Sequence, residues 1–222
     1  MPELPEVETT KRGIEPYISN QSIKKILVRN NKLRIPFNKN LAKEITNIEI
    51  RDIKRRAKYI IVDFANGYSI VIHLGMTGNL RVSKKIKYLK HDHIIFYLSS
   101  GNVLIYNDVR RFGLIQIYRT NESFFLLDNN GPDPFEKEAN ANYLFNKIKK
   151  STASIKSILL NHKIISGIGN IYASEILFAT NISPTRKGKD VSYDECKKIL
   201  QESKKILSKA IKAGGTTLND YF

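Results

Sequence analysis

Seven short runs of β-branched and aromatic residues between Ile23 and Tyr118 constrain the fold of this chain more than any other feature. The runs are SIKKILV, ITNIEIRDI, KYIIVDF, YSIVIHL, HIIFYL, VLIYN and LIQIY. Asn66-Gly67 between two of them is a strong hairpin signal, and the segment 99–102 marks another turn. Short strands with turns this frequent predict a β-sandwich or a barrel.

Helical patterns precede and follow the strands. The stretch LPEVETTKRGIEP predicts a helix that starts near Pro5 and stops at Pro16, which would hold the amino terminus in place. The segment 128–134 (DNNGPDP) has the composition of a linker. After it, apolar residues recur every three or four positions, as in Ile155, Ile158 and Leu159, in Ile176 and Leu177, and from Tyr193 to Ile211. Gly214-Gly215 closes the last helix as a C-cap would.

These patterns together predict an α+β fold with two domains. Residues 1–130 would form an N-terminal β domain with a pinned N-terminal helix. Residues 131–222 would form an all-helical domain.

Charge narrows the class of partner. The chain has 37 Lys and Arg against 21 Asp and Glu, a net charge of +16. A positive field of this size attracts phosphates, so nucleic acid is the leading partner. An RNA-binding protein fits the charge equally well, and a protein of an anionic membrane surface fits it less well.

The sequence also argues against several other classes of protein. Cys196 is the only cysteine, so neither a disulfide nor a cysteine cluster for zinc is expected. The sequence contains neither a run of about 20 apolar residues nor the start of a secretory signal. These features favour an intracellular, reducing compartment.

The first ten residues, MPELPEVETT, allow two interpretations. One is a solvated acidic tail, because chain termini are often frayed. The other is chemical. If Met1 is removed, Pro2 presents a secondary amine, a nucleophile, with the carboxylates of Glu3 and Glu6 close behind it.

A glycine-rich turn, NHKIISGIGNIYASEILF, separates two predicted helices. Gly167 and Gly169 permit tight geometry, and Asn170 occupies a predicted N-cap position. A helix start of this kind can bind a phosphate, although an ordinary corner between helices explains it equally well. Four lysines flank the turn and favour contact with a DNA backbone: Lys149, Lys150, Lys156 and Lys163.

Further candidates lie in the β domain. In NDVRRFG, Phe112 beside Arg110 and Arg111 could enter an opened duplex, or be a core phenylalanine beside solvated arginines. HLGMTG could hold Met76 outward, although methionine more often fills a core. KHDH would place His91 and His93 on one face of a strand and Asp92 on the other, so we predict no metal site there.

Together these segments resemble one family. MPELPEVETT, RRAKY, HLGMTG, KHDH, DVRRFG, GIGNIYASE and GGTTL occur here in the order found in bacterial formamidopyrimidine-DNA glycosylase, and the similarity runs from residue 1 to residue 222. The resemblance implies a β-sandwich followed by a helix–two-turns–helix domain, with DNA in the cleft between them. It also implies excision of oxidised purines (formamidopyrimidines and 8-oxoguanine) from duplex DNA, with AP lyase strand cleavage.

The resemblance further implies roles for individual residues. Pro2 would be the Schiff-base nucleophile, Glu3 the proton donor and acceptor at the sugar, Glu6 its supporting carboxylate, and Lys58 a phosphate contact that assists elimination. The side chains that fill the space left by the flipped nucleotide would be Met76, Arg110 and Phe112. The backbone contacts would be His91, Arg110, Lys150 and Asn170.

The sequence departs from the family pattern at its end. Family members continue past GGTTL into a four-cysteine zinc finger, and this sequence does not, so we expect a truncated chain with no metal site and no encoded cofactor. The alternative function is a catalytically weakened homologue that binds damaged or abasic DNA without efficient turnover. A third interpretation is a basic RNA-binding protein. The expected partner is damaged double-stranded DNA, and no membrane partner is expected. We expect a cytoplasmic bacterial protein that is a monomer and is associated with the nucleoid through its DNA binding.

Overall fold

The computed structural model of the chain describes residues 1–215. Residues 216–222, which include the end of the GGTTL motif and of the predicted helical domain, lie outside the described range. The described residues form two compact units: residues 1–2 and 6–124 make the first, and residues 3–5 and 125–215 make the second. Both strands and helices are present, so the predicted α+β class is confirmed. The predicted domain boundary after residue 130 stays a prediction.

Eight strands in the first unit form two four-stranded antiparallel sheets. One sheet has the order β1 (Ile23–Val28), β6 (Asp92–Leu98), β7 (Val103–Asp108) and β5 (Gly78–Ser83). The other has the order β2 (Ile50–Arg56), β3 (Tyr59–Phe64), β4 (Tyr68–His73) and β8 (Leu114–Arg119). The expected hairpins at Asn66-Gly67 and at residues 99–102 join β3 to β4 and β6 to β7.

The two sheets share one hydrophobic core, as a β-sandwich requires. Ile60 and Ile72 from one sheet and Ile94 and Phe96 from the other are fully or almost fully buried in the same cluster. Ile95 faces away from that cluster, because successive side chains of a strand point to opposite faces. The predicted β-sandwich is therefore confirmed.

Seven α-helices complete the described residues. They are α1 (Leu4–Ile18), α2 (Ala42–Ile45), α3 (Phe125–Asp128), α4 (Ala141–Ile148), α5 (Ile155–Leu160), α6 (Asn170–Thr180) and α7 (Tyr193–Lys212), with a short 3₁₀ helix at Gly188–Asp190. In the second unit α7 packs on α4 and α6, and α6 packs on α5. The predicted helix–two-turns–helix is α5, the turns over 161–169, and α6.

The C-terminal end of α7 has the predicted glycine cap. The Gly215 N–H donates to the carbonyl of Ala210 (2.8 Å) and the Gly214 N–H donates to that of Ile211 (3.1 Å), which is a Schellman motif. Both glycines have positive φ, 82° and 88°. A left-handed backbone is easily adopted by glycine, so these two residues end the helix.

The structure corrects the predicted elements at three points. α1 continues through Pro16 to Ile18, because Ile14 and Ile18 on either side of the proline pack in the hydrophobic core. β5 was missed, since only Leu80 and Val82 are aliphatic among its six residues. β2 begins at Ile50, and the first part of the run ITNIEIRDI lies in and after α2.

The predicted linker over 128–134 is also wrong in part. The Gly131 N–H donates to the His162 carbonyl (2.8 Å), and the Ser166 N–H donates to the Pro132 carbonyl (3.0 Å). Asp133 is buried. The later half of this segment is therefore a packed part of the second unit, because its backbone is hydrogen-bonded to the turns before α6.

A capping box at the start of α7 yields a stability prediction. Ser192 Oγ accepts from the Glu195 N–H (3.2 Å), and Glu195 Oε2 accepts from the Ser192 N–H (2.8 Å). Ser192→Ala removes the side-chain cap, and we expect the free energy of unfolding to fall by about 1 kcal/mol in urea titrations. Ser192→Thr keeps the hydroxyl and serves as the control. Equal losses in the two variants would contradict a capping role.

Candidate functional site

The carboxylate of Glu3 lies at the amino end of α6 and accepts hydrogen bonds from the helix backbone. Glu3 Oε2 accepts from the Gly169 N–H (2.6 Å) and the Tyr172 N–H (3.4 Å), and Oε1 accepts from the Ile171 N–H (2.9 Å). Glu3 is almost completely buried. The first amides of a helix have no partner within it and carry partial positive charge, so a carboxylate is a favourable ligand for them.

This contact overturns one prediction. Asn170 is not the N-cap of α6. Gly169 occupies that position with an extended backbone, and Asn170 is the first helical residue, with its side chain exposed. The amides at positions 169, 171 and 172 donate to the carboxylate of Glu3, so the chain itself supplies an anion at this helix start. A phosphate contact by Asn170 stays a prediction.

Two glycines allow the amino-terminal segment to approach this closely. A Cβ at Gly169 would overlap the carboxyl group of Glu3, and one at Gly167 would lie 2.6 Å from Leu4 Cδ1. Gly167 also has a φ of +86°. Its carbonyl accepts from the Leu4 N–H (3.0 Å). The predicted pinning of the amino terminus is thus confirmed, through the side-chain carboxylate of Glu3 and the backbone N–H of Leu4.

The other predicted catalytic residues lie in the first unit. Pro2 is buried, and so is Glu6 on α1. Lys58 is partly exposed in the β2–β3 turn, directly after Ala57, which has a positive φ of 53°. Of the predicted catalytic set, the structure therefore shows Pro2 and Glu6 buried and Lys58 at the surface of a turn.

Asp108 organises two neighbouring loops of the first unit. Its side chain is fully buried and accepts from Thr77 Oγ1 (2.6 Å), the Gly113 N–H (2.9 Å) and the Tyr106 hydroxyl (3.2 Å). Thr77 Oγ1 in turn accepts from the Arg110 N–H (3.0 Å). Loops 74–77 and 109–113 are thereby hydrogen-bonded to one carboxylate. Burial raises the pKa of Tyr106 above its ordinary value, and the negative charge of Asp108 acts in the same direction.

The three side chains predicted to fill a vacated nucleotide all project from these loops. Met76 is 37% exposed and Phe112 is 49% exposed. Arg110 Cζ lies 4.6 Å from the centre of the Phe112 ring. Arg111 between them has a positive φ of 58°. The loops therefore present an arginine–aromatic pair and a methionine to solvent.

These loops border a cavity of about 730 Å³ in the first unit. The lining residues are Met1, Lys32, Arg34, His73, Gly75, Met76, Arg110, Arg111 and Phe112. Four of them are cationic and none is acidic, so the cavity favours an anion. Met1 at its edge is bonded to Pro2, which places the predicted nucleophile next to a basic cavity.

His73 on the cavity wall is held as a neutral imidazole. Its Nδ1 accepts from the Gly75 N–H (3.0 Å), which requires this nitrogen to be unprotonated. Burial lowers the pKa of His73 to about 4, and the positive charges of Arg34 and Lys58 act in the same direction. His73 belongs to the segment HLGMTG, but the sequence alone predicts no role for it, because one histidine in a motif carries no pattern of its own.

The remaining predicted DNA contacts lie at the surface of their own units. In the first unit His91 is partly exposed, and its carbonyl accepts from the Asp108 N–H (3.1 Å). In the second unit Lys150 is exposed in the turn after α4, and Asn170 is exposed at the first position of α6. Their roles as backbone contacts stay predictions.

The described residues do not fit a metal. Within residues 1–215 no three His, Cys, Asp or Glu side chains come together as metal ligands. Cys196 is buried in α7, and burial raises the pKa of its thiol to about 11, whereas a zinc ligand must be a thiolate. The same range holds no helix both long and apolar enough to cross a bilayer.

Comparison with known proteins identifies the family. The family model of the formamidopyrimidine-DNA glycosylase N-terminal domain matches residues 1–115, and that of the formamidopyrimidine-DNA glycosylase H2TH domain matches residues 130–221. The chain belongs to the formamidopyrimidine-DNA glycosylase family. The resemblance noted from the sequence motifs is thus confirmed.

Individual relatives agree with this assignment. The chain is 44% identical to formamidopyrimidine-DNA glycosylase of Hydrogenovibrio crunogenus and 45% identical to that of Wolbachia pipientis, covering all of this chain and 79% and 82% of those proteins. Among solved structures, it is similar to a Lactococcus lactis Fpg mutant in complex with a Fapy-dG containing DNA. That match has a TM-score of 0.92 and 33% identity, and covers 100% of this chain and 82% of the other.

The Asp108 network gives one prediction for the site. Thr77→Val removes the hydroxyl that donates to Asp108 and accepts from the Arg110 N–H. We expect the free energy of unfolding to fall by about 1–3 kcal/mol, because a buried carboxylate loses a donor. Chemical denaturation measures the loss, and Thr77→Ser, which keeps the hydroxyl, should recover most of it. A valine variant as stable as the unaltered chain would contradict a stabilising role of the hydroxyl.

His73 gives a prediction on pH. The imidazole of His73 should titrate near pH 4 in an NMR titration. The His73 resonance is assigned by its loss in His73→Asn. A midpoint near 6.5 would contradict the buried neutral state. The unfolded chain binds this proton at about pH 6.5. Between about pH 6.5 and 4 the unfolded state therefore holds more protons, so stability falls as pH is lowered, by at most about 3 kcal/mol from this group. His73→Asn should flatten that slope.

Proposed function

We propose that this chain excises oxidised purines, namely formamidopyrimidines and 8-oxoguanine, from duplex DNA through a Schiff base on Pro2, and then cleaves the strand at the abasic site. As a member of its family the chain is a DNA glycosylase of base excision repair. The proposal concerns the lesion, the nucleophile and the lyase step. A Lactococcus lactis relative solved with Fapy-dG containing DNA supports the choice of lesion.

The proposed chemistry begins when Met1 is removed and the Pro2 nitrogen is free. This amine attacks C1′ of the damaged nucleotide, and the glycosidic bond breaks as the base leaves with its electron pair and takes a proton from water. The Pro2 N–H proton passes to the Glu3 carboxylate, which gives it to O4′ as the sugar ring opens, and the Pro2 lone pair forms an iminium ion with C1′. The iminium accepts the electron pair released when a C2′ proton is lost, and the 3′-phosphate leaves. Covalent catalysis here divides one difficult step into several easier ones.

The observation that carries the proposal is the fixed position of Glu3, the residue that follows Pro2 in the sequence. A buried carboxylate held by three backbone N–H groups has little freedom to move, so this group is preorganised. Met1 borders a cavity lined by four cations, which suits the phosphates that flank a nucleotide. Lys58 in the β2–β3 turn is the proposed phosphate contact.

Base flipping provides the proposed task for the exposed loops. The reactive carbon is hidden in a duplex, so the nucleotide must leave the stack at a cost of a few kcal/mol. Met76, Arg110 and Phe112 are proposed to fill the space that it leaves. Their exposure and the contact between Arg110 and the Phe112 ring support this role. No step uses a metal, and the expectation that this chain encodes no cofactor stays a prediction.

Borohydride trapping on duplex DNA with an abasic site tests the proposal. The chain without Met1 should give a covalent adduct, and Pro2→Gly should give none above background. Glu3→Gln should form the adduct at least about 100-fold more slowly, because it cannot transfer a proton. Glu8→Gln on α1, the helix that follows Glu3, is the matched control, since Glu8 pairs with Arg12 and Arg55 and has no proposed role.

Two results would overturn the proposal. Trapping that persists after the Pro2 nitrogen is blocked by acetylation would place the nucleophile elsewhere. Absence of an adduct with the unaltered chain, together with tight binding to abasic DNA, would instead support the weakened homologue that binds without turnover.

A further inference from the structure

A long stretch of the first unit contains no acidic residue. Between Asp63 and Asp92 the sequence has no Asp or Glu, but it has five basic residues: Arg81, Lys84, Lys85, Lys87 and Lys90. Four of these lie in residues 84–91, which we name the basic loop. It connects β5 to β6, the two strands that flank β7.

Hydrogen bonds at both ends hold the backbone of the basic loop. Ser83 Oγ donates to the Lys85 carbonyl (2.6 Å), and Arg29 Nη1 donates to the Leu89 carbonyl (2.8 Å). The Leu89 N–H donates to Asp92 Oδ2 (2.7 Å). The loop therefore has a defined course, although its side chains point into solvent.

Asp92, the carboxylate next to the loop, already has hydrogen-bond partners. It is 1% exposed and accepts from both terminal nitrogens of Arg81 (2.7 and 2.6 Å) and from Asn107 Nδ2 (2.7 Å). Burial raises its pKa, but these hydrogen bonds outweigh burial and hold the pKa below its ordinary value. Asp92 therefore remains an anion bound to Arg81 and does not neutralise the lysines.

The four lysines of the loop are exposed and have no salt bridge within residues 1–215. Lys11 and Lys54, in contrast, pair with Glu15 and Asp63. A group of unpaired cations on a fixed backbone repels itself unless an anion is near, so the loop favours an external polyanion.

Aromatic residues extend the charged surface onto the neighbouring strands. Arg29 Cζ lies 4.8 Å from the Tyr88 ring centre, and the Tyr88 and Tyr97 hydroxyls are 3.0 Å apart. Lys25 Nζ lies 5.7 Å from the Tyr97 ring centre. Two tyrosines thus hold Lys25 and Arg29 beside the loop and add two cations to its surface.

We propose that the basic loop, with Lys25 and Arg29, binds phosphates of duplex DNA outside the damaged nucleotide. The inference rests on the proposed function for the identity of the polyanion. Lysine ammonium groups on long flexible stems suit the repeated single charges of a phosphate backbone, without reading its sequence. The last residue of the loop is His91, which is itself a predicted contact to the DNA backbone.

Salt-dependent binding to undamaged duplex DNA tests the inference. The triple variant Lys84→Gln, Lys85→Gln and Lys87→Gln should lower the slope of log affinity against log salt by about 2.7, since each lost phosphate contact contributes about 0.9. The control replaces three exposed lysines elsewhere in the same unit, Lys24, Lys39 and Lys43, by glutamine. It removes the same charge and should leave the slope within experimental error.

The outcomes separate this inference from the proposed function. An unchanged slope in the loop variant, or an equal change in the control, overturns the inference. The inference is also overturned if the loop variant no longer binds vesicles of anionic phospholipid but keeps the slope for DNA. If the loop variant changes the slope and the unaltered chain gives no borohydride adduct, the loop inference is supported and the proposed chemistry fails. If the unaltered chain gives the adduct and the loop variant leaves the slope unchanged, only the loop inference fails. Equal thermal midpoints of the two triple variants show that both are folded.

Discussion

The hydrogen bonds between the Glu3 carboxylate and the start of α6 are the interaction on which the candidate site depends. A buried carboxylate costs several kcal/mol unless its oxygens are paired, and here backbone N–H groups pair them. Because the donors belong to the backbone, the position of Glu3 follows from the course of α6 and not from a side-chain rotamer. The requirement explains glycine at position 169, where a Cβ would occupy the place of the carboxyl group.

The first unit uses the same physical solution at Asp108. A fully buried carboxylate there gathers a hydroxyl, a backbone N–H and a phenol from different segments, and so fixes the loops that carry Met76, Arg110 and Phe112. A charge in a low-dielectric interior makes its hydrogen bonds strong and its unpaired state costly. The loops can therefore hold exposed side chains in place, because the hydrogen bonds of the buried Asp108 offset the entropy lost when the loops are ordered.

Sequence patterns predicted the parts of this structure that local physics decides. Runs such as KYIIVDF and YSIVIHL became β3 and β4, and the regular spacing from residue 196 to residue 207 became the buried face of α7. β5 was missed because half-buried residues give a weak apolar pattern. Asn170 was misplaced because capping preferences are local, whereas the group that caps α6 comes from Glu3, more than 160 residues away in the sequence.

The candidate site could be predicted only through the motifs of a family. Pro2, Glu3 and Lys58 have no common spacing, so nothing in composition or periodicity joins them, and their roles stay predictions. His73 and Asp108 lie inside the motifs HLGMTG and NDVRRFG, yet their importance depends on burial and on hydrogen-bond partners. Long-range contacts of this kind leave no local signal in one sequence.

Charge and chemistry place different demands on the same chain. The proposed proton transfer at the sugar needs atoms held to within a fraction of an ångström, and the buried carboxylate of Glu3 is held by backbone donors. Attraction to a phosphate backbone decays slowly with distance and tolerates variation in position, so exposed lysines without fixed partners are sufficient. The basic loop and the Glu3 site therefore illustrate opposite strategies. Loss of one lysine weakens an electrostatic sum by one part, whereas loss of one donor to Glu3 removes a hydrogen bond from a buried charge.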